Sequence, residues 1–220
     1  MEIKPVAKIV SPFKEKFGVP RQSGRVQTLS KIVFEPYCRD KSAIKGIEDF
    51  SHLWLIFEFD KVEYDKFTPT VRPPRLGGNA KKGVFATRSP FRPNRLGLSV
   101  VKLIGIEDGA LLVSGADLVD GTPIYDIKPY IPSADCIENA KGGFSDEFKN
   151  YKINVKIETD DFYSLPKKAQ EDIVAAVAED PRPAYHDDER TYGMIYDSFN
   201  ISFTVCGDIA NINSVKNFKQ

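Results

Sequence analysis

The sequence predicts a mainly β protein that ends in a small α+β unit. Short runs rich in β-branched and aromatic residues, separated by turns that contain Gly and Pro, recur through most of the chain. A clear helical period occurs only after Pro166. The segment 141–150, KGGFSDEFKN, has glycines, alternating charge and no apolar period, which is typical of a linker. We therefore expect a main domain at 1–145 and a smaller domain at 146–220.

The main domain begins with two predicted strands, at 4–10 and 26–34, where β-branched residues are frequent. Between them, the segment 12–24, PFKEKFGVPRQSG, carries two prolines, two glycines and no helical period. This composition predicts an ordered loop, whose simplest interpretation is a surface connection.

The next elements are a short turn or helix at 41–50, with apolar residues at helical spacing, and a core strand at 52–59. That strand, HLWLIFEF, is almost wholly apolar, as in a strand buried on both faces or in the wall of a barrel. Runs at 98–104 and 110–118 predict two further strands, joined by a turn at 107–109.

The C-terminal unit is predicted to contain a strand at 151–157 and a helix that Ser164 caps and Pro166 begins. The apolar stripe of this helix indicates core packing. Segments 194–205 and 209–218 predict a closing hairpin.

Charge is unevenly distributed along the chain, although the totals balance at 31 Lys+Arg and 31 Asp+Glu. Between Asp65 and Glu107 there is no carboxylate, and the short apolar run 83–86, a predicted strand, is flanked there by turns. The cations of this interval are Lys66, Arg72, Arg75, Lys81, Lys82, Arg88, Arg92, Arg95 and Lys102. The interval predicts an anionic partner, whereas the neutral total argues against indiscriminate coating of nucleic acid.

Carboxylates are concentrated in the segment 115–132, GADLVDGTPIYDIKPYIP. For Asp120, which precedes a glycine, ordinary turn chemistry is an equally good explanation. The run DIKPY differs, because a period of two residues places Asp126, Lys128 and Tyr130 on one face of an extended segment.

The sequence lacks the residue patterns that several functional classes require. The three cysteines share no CxxC spacing and the two histidines form no HExxH pattern, so a disulfide framework and a metal site are both disfavoured. No P-loop, Rossmann glycine fingerprint or GxSxG motif is present. Neither a signal peptide nor an apolar stretch of roughly 18 residues occurs, so we expect a cytoplasmic protein without a membrane segment.

Taken together, the motifs resemble the TrmO family, also called YaeB or TsaA-like. They occur in the family's order over nearly the whole chain: VPRQSG, FSHLWLIFEF, RPPRLGGNAKKGVFATRSPFRPNRLGLSVVKL, DLVDGTPIYDIKPYIP, DPRPAY and YGMIYDSFNISFTV. The resemblance implies a small N-terminal β-barrel in place of a Rossmann sheet, with a small α+β C-terminal domain. It also implies a homodimeric tRNA methyltransferase that uses S-adenosylmethionine on N6 of a threonylcarbamoyl-adenosine in the anticodon loop.

The same resemblance places the cofactor contacts on three groups of residues and on Leu98. They are Arg21, Gln22 and Ser23; Asp60, Lys61 and Arg88; and Ser114, Gly115, Ala116 and Asp117. These side chains suit the cofactor, since its carboxylate needs a cation, its ribose diol an acid and its adenine an apolar cover.

For the reaction we expect in-line displacement, with Asp126 as the first candidate for the base and Lys128 or Tyr130 as its orienting groups. We expect four arginines and one asparagine to contact RNA phosphates or the threonyl carboxylate: Arg72, Arg75, Arg92, Asn94 and Arg95.

Two alternatives stay open at this point. A non-catalytic RNA-binding module would use the same loops, since Tyr64, Phe67, Phe85 and Phe91 lie among the cations and could stack on bases. A methyltransferase with another substrate would keep the cofactor and change the partner.

Overall fold

A computed structural model describes residues 2–63, 67–183, 186 and 190–218 of the chain. Its strands, in chain order, are β1 (Ala7–Val10), β2 (Leu29–Phe34), β3 (His52–Glu58), β4 (Thr70–Val71), β5 (Lys82–Gly83), β6 (Leu96–Glu107), β7 (Ala110–Ser114), β8 (Pro123–Pro129), β9 (Asn154–Ile157), β10 (Thr191–Tyr196), β11 (Phe199–Cys206) and β12 (Ile209–Asn217). The α-helices among these residues are α1 (Pro132–Asp135) and α2 (Lys167–Ala178).

Within the described residues, six strands close into a barrel in the order β1, β2, β7, β6, β3, β8. Each neighbouring pair is antiparallel. Along β3 the side chains of Leu53, Leu55 and Phe57 are buried, while the residues between them are only half-buried. The apolar run HLWLIFEF is therefore a barrel wall with one inner face, and the predicted mainly β fold with its barrel is confirmed.

The barrel's strand directions bring three long connections to one end, which we call the loop end. β3 is antiparallel to both neighbours, and Phe57 near its C-terminal end faces Gly97 of β6 and Ile124 of β8. The connections β1 to β2, β3 to β6 and β7 to β8 all leave from this end. The opposite end carries the β2 to β3 connection, the β6 to β7 turn and the exit from β8.

The C-terminal unit is a sheet of four strands, in the order β10, β11, β12, β9 over the described residues, with β9 parallel to β12 and the other pairs antiparallel. Helix α2 buries Ile173 and Val177 in the core of this unit. Phe13 and Val26 of the β1 to β2 connection belong to the same core, each only 1% exposed. The connection expected to lie on the surface is therefore packed between barrel and C-terminal unit.

Three local predictions were wrong. The run 83–86 is not a strand, because β5 ends at Gly83 and Val84–Ala86 forms a 3₁₀ turn. Ser164 does not cap α2: its hydroxyl donates to the Asp161 carbonyl, and Pro166 occupies the N-cap position.

The segment 194–205 is also not one strand. It contains the C-terminal end of β10 and almost all of β11, and the turn between them includes Asp197 in the left-handed region with φ of 52°. Asp tolerates this backbone because its side chain bonds locally. The hairpin of β11 and β12 is confirmed.

Candidate active site

The loop end brings the predicted cofactor residues together from connections that are distant in sequence. The β1 to β2 connection carries Arg21, Gln22 and Ser23, the β3 to β6 connection carries Asp60, Lys61 and Arg88, and the β7 to β8 connection carries Gly115, Ala116 and Asp117. Residues that share one end of a closed barrel can line one site. The topology therefore supports a single binding site for this set.

Hydrogen bonds link all three connections at the loop end. Arg88 donates from Nη1 to Gln22 Oε1 at 2.6 Å, and Ser99 Oγ of β6 donates to Asp117 Oδ1 at 2.6 Å. Burial raises the pKa of Asp117, against the opposing effects of the Ser99 hydroxyl, the charge of Arg88 and the backbone of Ser23. The result is a partly desolvated carboxyl beside a guanidinium.

Ser114, Gly115 and Ala116 support the site through their backbone. The Ala116 side chain is 1% exposed in the barrel core, and Ser114 Oγ donates to Gln27 at 3.3 Å. Gly24 N donates to Gly115 O at 2.8 Å, and a Cβ on Gly115, whose φ is 85°, would lie 3.3 Å from the Gly24 backbone. A ligand could contact Gly115 and Ala116 only through their peptide groups, whereas the Ser114 hydroxyl is bonded to Gln27.

Leu98 begins an apolar row on the outer barrel wall. It is 52% exposed and faces Ile56 of β3, which in turn faces Asp126 of β8. Asp60 and Lys61 follow β3 and pair with each other at 3.0 Å. The row of Leu98, Ile56 and Asp126 thus connects the loop end to Asp126, the candidate base.

The DIKPY residues extend from this row toward the opposite end. Lys128 Nζ lies 3.0 Å from Asp126 Oδ2, and Lys128 faces Trp54 across the sheet. Tyr130 lies beyond the strand: its N–H donates to His52 O, and its ring centroid is 5.7 Å from that of Trp54. At about 3.3 Å a residue, Tyr130 is some 13 Å further from the loop end than Asp126.

Asp120 has a structural role, but through contacts that are remote in sequence and not through the local bond of ordinary turn chemistry. Its carboxylate accepts from Ser11 N at 2.9 Å and pairs with Lys14 at 3.0 Å. It joins the β7 to β8 connection to the start of the β1 to β2 connection.

Sequence reasoning missed Glu58 and Tyr125. Glu58 Oε1 accepts from Arg95 Nη2 at 2.7 Å, and Glu58 Oε2 accepts from the Tyr125 hydroxyl at 2.7 Å. Arg95 also donates to Val62 O. Arg95, predicted to contact phosphate, thus fixes the start of β6. Glu58, the one acid in the apolar run HLWLIFEF, was the sequence signal for this partner.

Arg21 and Arg75 contact the C-terminal unit. Arg21 Nη2 donates to the carbonyls of Asp180 and Arg182 at 3.2 and 2.7 Å. Arg75 Nη2 donates to Glu179 O at 2.6 Å, and its guanidinium lies 4.2 Å from the centroid of the Tyr151 ring. Burial lowers the pKa of Arg21, and the neighbouring charge of Arg75 adds to that effect.

The remaining basic surface combines cations with exposed aromatic rings. Phe85 is 73% exposed, and the Arg92 guanidinium lies 5.6 Å from its centroid. Arg92 Nη1 donates to the carbonyls of Val84 and Thr87 and so fixes the turn that carries Phe85. Arg72 and Asn94 are exposed. Tyr64 lies outside the described residues.

No cluster of three or more His, Cys, Asp or Glu with the geometry to hold a metal occurs among the residues that the structure describes. In the same part of the chain, every helix is too short or too polar to cross a bilayer.

Comparison with known proteins identifies both parts of the chain. The family model of the tRNA-methyltransferase O N-terminal domain matches residues 8–136, and that of the TrmO C-terminal domain matches residues 151–218. The tRNA (adenine(37)-N6)-methyltransferase of Escherichia coli K12 is 40% identical over 219 residues, which cover 93% of each chain. The Eikenella corrodens protein of the same name is 45% identical over 173 residues, covering 76% of this chain and 97% of its own.

A crystal structure of TrmO from Pseudomonas aeruginosa superposes with a TM-score of 0.80 at 33% identity, covering 99% of this chain and 97% of the other. The fold, both family models and the full-length relatives agree, and the chain therefore belongs to the TrmO family.

Proposed function

We propose that this chain is an S-adenosylmethionine-dependent tRNA methyltransferase that methylates N6 of adenosine 37, as its relatives are named to do. The observation that carries the proposal is the convergence of Gln22, Arg88 and Asp117 from three connections at the loop end. The finer substrate, the threonylcarbamoyl form of that adenosine, is part of the proposal.

The chemistry of the site fits S-adenosylmethionine. Arg88, held by Gln22, suits the cofactor's carboxylate, and Asp117 or Asp60 suits its ribose diol. Exposed Leu98 gives the apolar cover that an adenine needs. The cofactor supplies an electrophilic methyl group on a sulfonium.

Positioning provides most of the rate in this mechanism. Methyl transfer would form a new N6–C bond as the C–S bond of the sulfonium breaks, and N6 would have to lose its proton, because the methylated nitrogen would otherwise carry a positive charge. Asp126 accepts the proton, since it lies in the row that starts at Leu98, and Lys128, 3.0 Å away, orients its carboxylate. The position of Tyr130 makes it a support for Trp54 rather than for the reacting nitrogen.

The RNA contacts of this proposal lie on the basic β3 to β6 connection. Phe85, which is 73% exposed, offers its ring to an unstacked base of the anticodon loop. Arg72 and Asn94 are exposed on this connection and contact phosphate or the threonyl carboxylate. Arg75, Arg92 and Arg95 have their guanidinium groups engaged within the protein, and Arg92 supports the turn that presents Phe85.

We also propose a homodimer in the cytoplasm. Leu96 and Ile104 are also exposed on the outer face of β6, and a second copy could cover these apolar side chains. All three cysteines are free, as suits a reducing compartment. Light scattering after gel filtration tests the dimer, and a monomer would overturn it.

The test of the proposed function uses the purified protein and a tRNA whose adenosine 37 lacks the N6-methyl group, isolated from a strain without this methyltransferase. We expect calorimetric heat with S-adenosylmethionine and, by mass spectrometry, one added methyl on the threonylcarbamoyl-adenosine. RNA binding without cofactor binding would instead identify a non-catalytic module. Cofactor binding with no methyl transfer to this tRNA would indicate a different substrate.

A further inference from the structure

The turn after helix α2, residues 179–182, is tightly fixed. Asp180 is 5% exposed and has a φ of 50°, in the left-handed region. Its carboxylate accepts from Arg182 Nε at 2.8 Å and from the Tyr151 hydroxyl at 3.0 Å. These bonds to both carboxylate oxygens set the direction in which the backbone carbonyls of the turn point.

Those carbonyls accept arginines from two connections of the loop end. Glu179 O accepts from Arg75, of the β3 to β6 connection, while the carbonyls of Asp180 and Arg182 both accept from Arg21, of the β1 to β2 connection. Cations are favoured where helix carbonyls end, because the helix dipole leaves partial negative charge there.

Arg21 is adjacent in sequence to the predicted cofactor residues Gln22 and Ser23, so its contact with the turn affects their position. Gln22 follows Arg21 directly and accepts the hydrogen bond from Arg88, and the backbone of Ser23 faces Asp117. A shift of Arg21 would therefore displace the partner of Arg88. Both bonds come from the single nitrogen Nη2, so the contact depends on the full reach of the arginine side chain, and a lysine is one atom shorter.

We propose that the 179–182 turn acts as a clamp that positions the cofactor site from the C-terminal unit, with Arg21 and Arg75 as positioning residues. The resemblance places Arg21 on the cofactor, and the basic interval led to the expectation that Arg75 contacts the RNA. The clamp rests on the proposed function, because its effect is defined on cofactor binding.

The test compares Asp180→Gly, Arg21→Ala, Arg21→Lys and the double variant Asp180→Gly/Arg21→Ala in the full chain. Glycine accepts the left-handed backbone, so Asp180→Gly removes the carboxylate without backbone strain. Lys152→Ala is the matched control, since Lys152 approaches Glu179 at 3.6 Å from within the C-terminal unit. The readouts are the Kd for S-adenosylmethionine by calorimetry, the KM for tRNA, and the urea midpoint.

The clamp predicts that Asp180→Gly and both Arg21 variants each raise the cofactor Kd about tenfold, the effect of losing a charged hydrogen bond. The double variant should bind the cofactor no more weakly than the weaker-binding single variant, because both changes break the same contact between Arg21 and the 179–182 turn. The KM for tRNA and the Kd of Lys152→Ala should stay within about twofold.

A direct contact between Arg21 and the cofactor carboxylate gives another pattern and overturns the clamp. The effects of Asp180→Gly and Arg21→Ala on the cofactor Kd would then multiply in the double variant. Unchanged cofactor affinity in Asp180→Gly likewise overturns it. Wild-type protein that binds no cofactor would refute the proposed function itself, which separates the two failures.

Discussion

Gly97 of β6 is expected to be intolerant of even one methyl group. A Cβ at this position would lie 2.3, 2.5 and 2.8 Å from three carbons of the Phe57 ring. That ring has little freedom to move, because Phe57 is 3% exposed and packs edge to face on Phe59 with centroids 5.1 Å apart. Gly97→Ala therefore forces either the ring or β6 to shift.

We expect Gly97→Ala to cost about 2–3 kcal/mol, the upper part of the range for overpacking a well-filled core. For a chain of this length, that cost lowers Tm by roughly 4–12 °C. Thermal unfolding followed by circular dichroism measures the change. Gly105→Ala on the same strand is the control, because a Cβ there meets nothing within 4 Å, and it should change stability by less than about 0.5 kcal/mol.

A second change tests the cause of the destabilisation. Phe57→Leu opens the space that the new methyl would occupy, so Gly97→Ala should cost less in that background than in the wild type. Equal losses for Gly97→Ala and Gly105→Ala would refute the reasoning from the ring contact. The same conclusion would follow if Phe57→Leu left the cost of Gly97→Ala unchanged.

Four further changes test the site. Arg88→Ala should raise the Kd for S-adenosylmethionine at least about tenfold in calorimetry, since Arg88 is the guanidinium that Gln22 orients. Asp117→Asn should weaken cofactor binding yet stabilise the fold at neutral pH. Burial raises the pKa of Asp117 in the folded state. The stability due to its protonated form is therefore complete below the unfolded pKa and is lost as the pH rises through the folded pKa. Urea unfolding should show the variant and wild type converging as the pH falls toward 3.8. Asp126→Asn should lower the single-turnover methylation rate about 10²–10⁴-fold with both affinities retained. Phe85→Ala should raise the Kd for tRNA by about 5- to 150-fold, the loss of one stacked base, and leave cofactor binding unchanged.

Each of these changes has a control or an opposing result. Lys81→Ala, on the same connection as Arg88, should leave the cofactor Kd unchanged. Tyr37→Ala is the control for Phe85, because Tyr37 is 63% exposed but lies on the connection at the opposite end of the barrel. A wild-type methylation rate in Asp126→Asn would show that the proton is lost to water. If Asp117→Asn lowered the stability of the fold at neutral pH, burial of the charged Asp117 carboxylate would not be the cost that we infer.

The pattern of apolar residues was sufficient to predict most strands, because alternation along a strand reports directly which side chains face the core. The 52–59 run was recognised as the core strand, although its alternation was hidden by Trp54 and Ile56 on the outer face. Those outer side chains are only half-buried, and composition does not distinguish a half-exposed apolar residue from a buried one. The wrong strand at 83–86 arose similarly, since a run of three or four residues carries no period.

The candidate site was predicted unevenly. The basic interval and the DIKPY run were visible in the sequence, whereas the partners of the individual arginines were not. Arg21 and Arg75 use backbone carbonyls of 179–182, and a carbonyl has no sequence identity that could mark it as an acceptor. Phe13 likewise looked like a loop residue, because its partners, among them Tyr196, are remote along the chain. Contacts of this range become visible only in three dimensions.

The burial of Phe13 in the core of the C-terminal unit has a consequence for synthesis. A ribosome adds roughly 5–20 residues per second, so the barrel strands up to Pro129 emerge several seconds before Tyr196 and Phe203 do. During that interval Phe13 and Val26 have no core to enter, and the connection that carries Gln22 and Ser23 cannot reach its final place. The nascent barrel would thus be unable to capture its cofactor until almost the last codons are translated, and a chain truncated at the linker would expose two apolar side chains to chaperones.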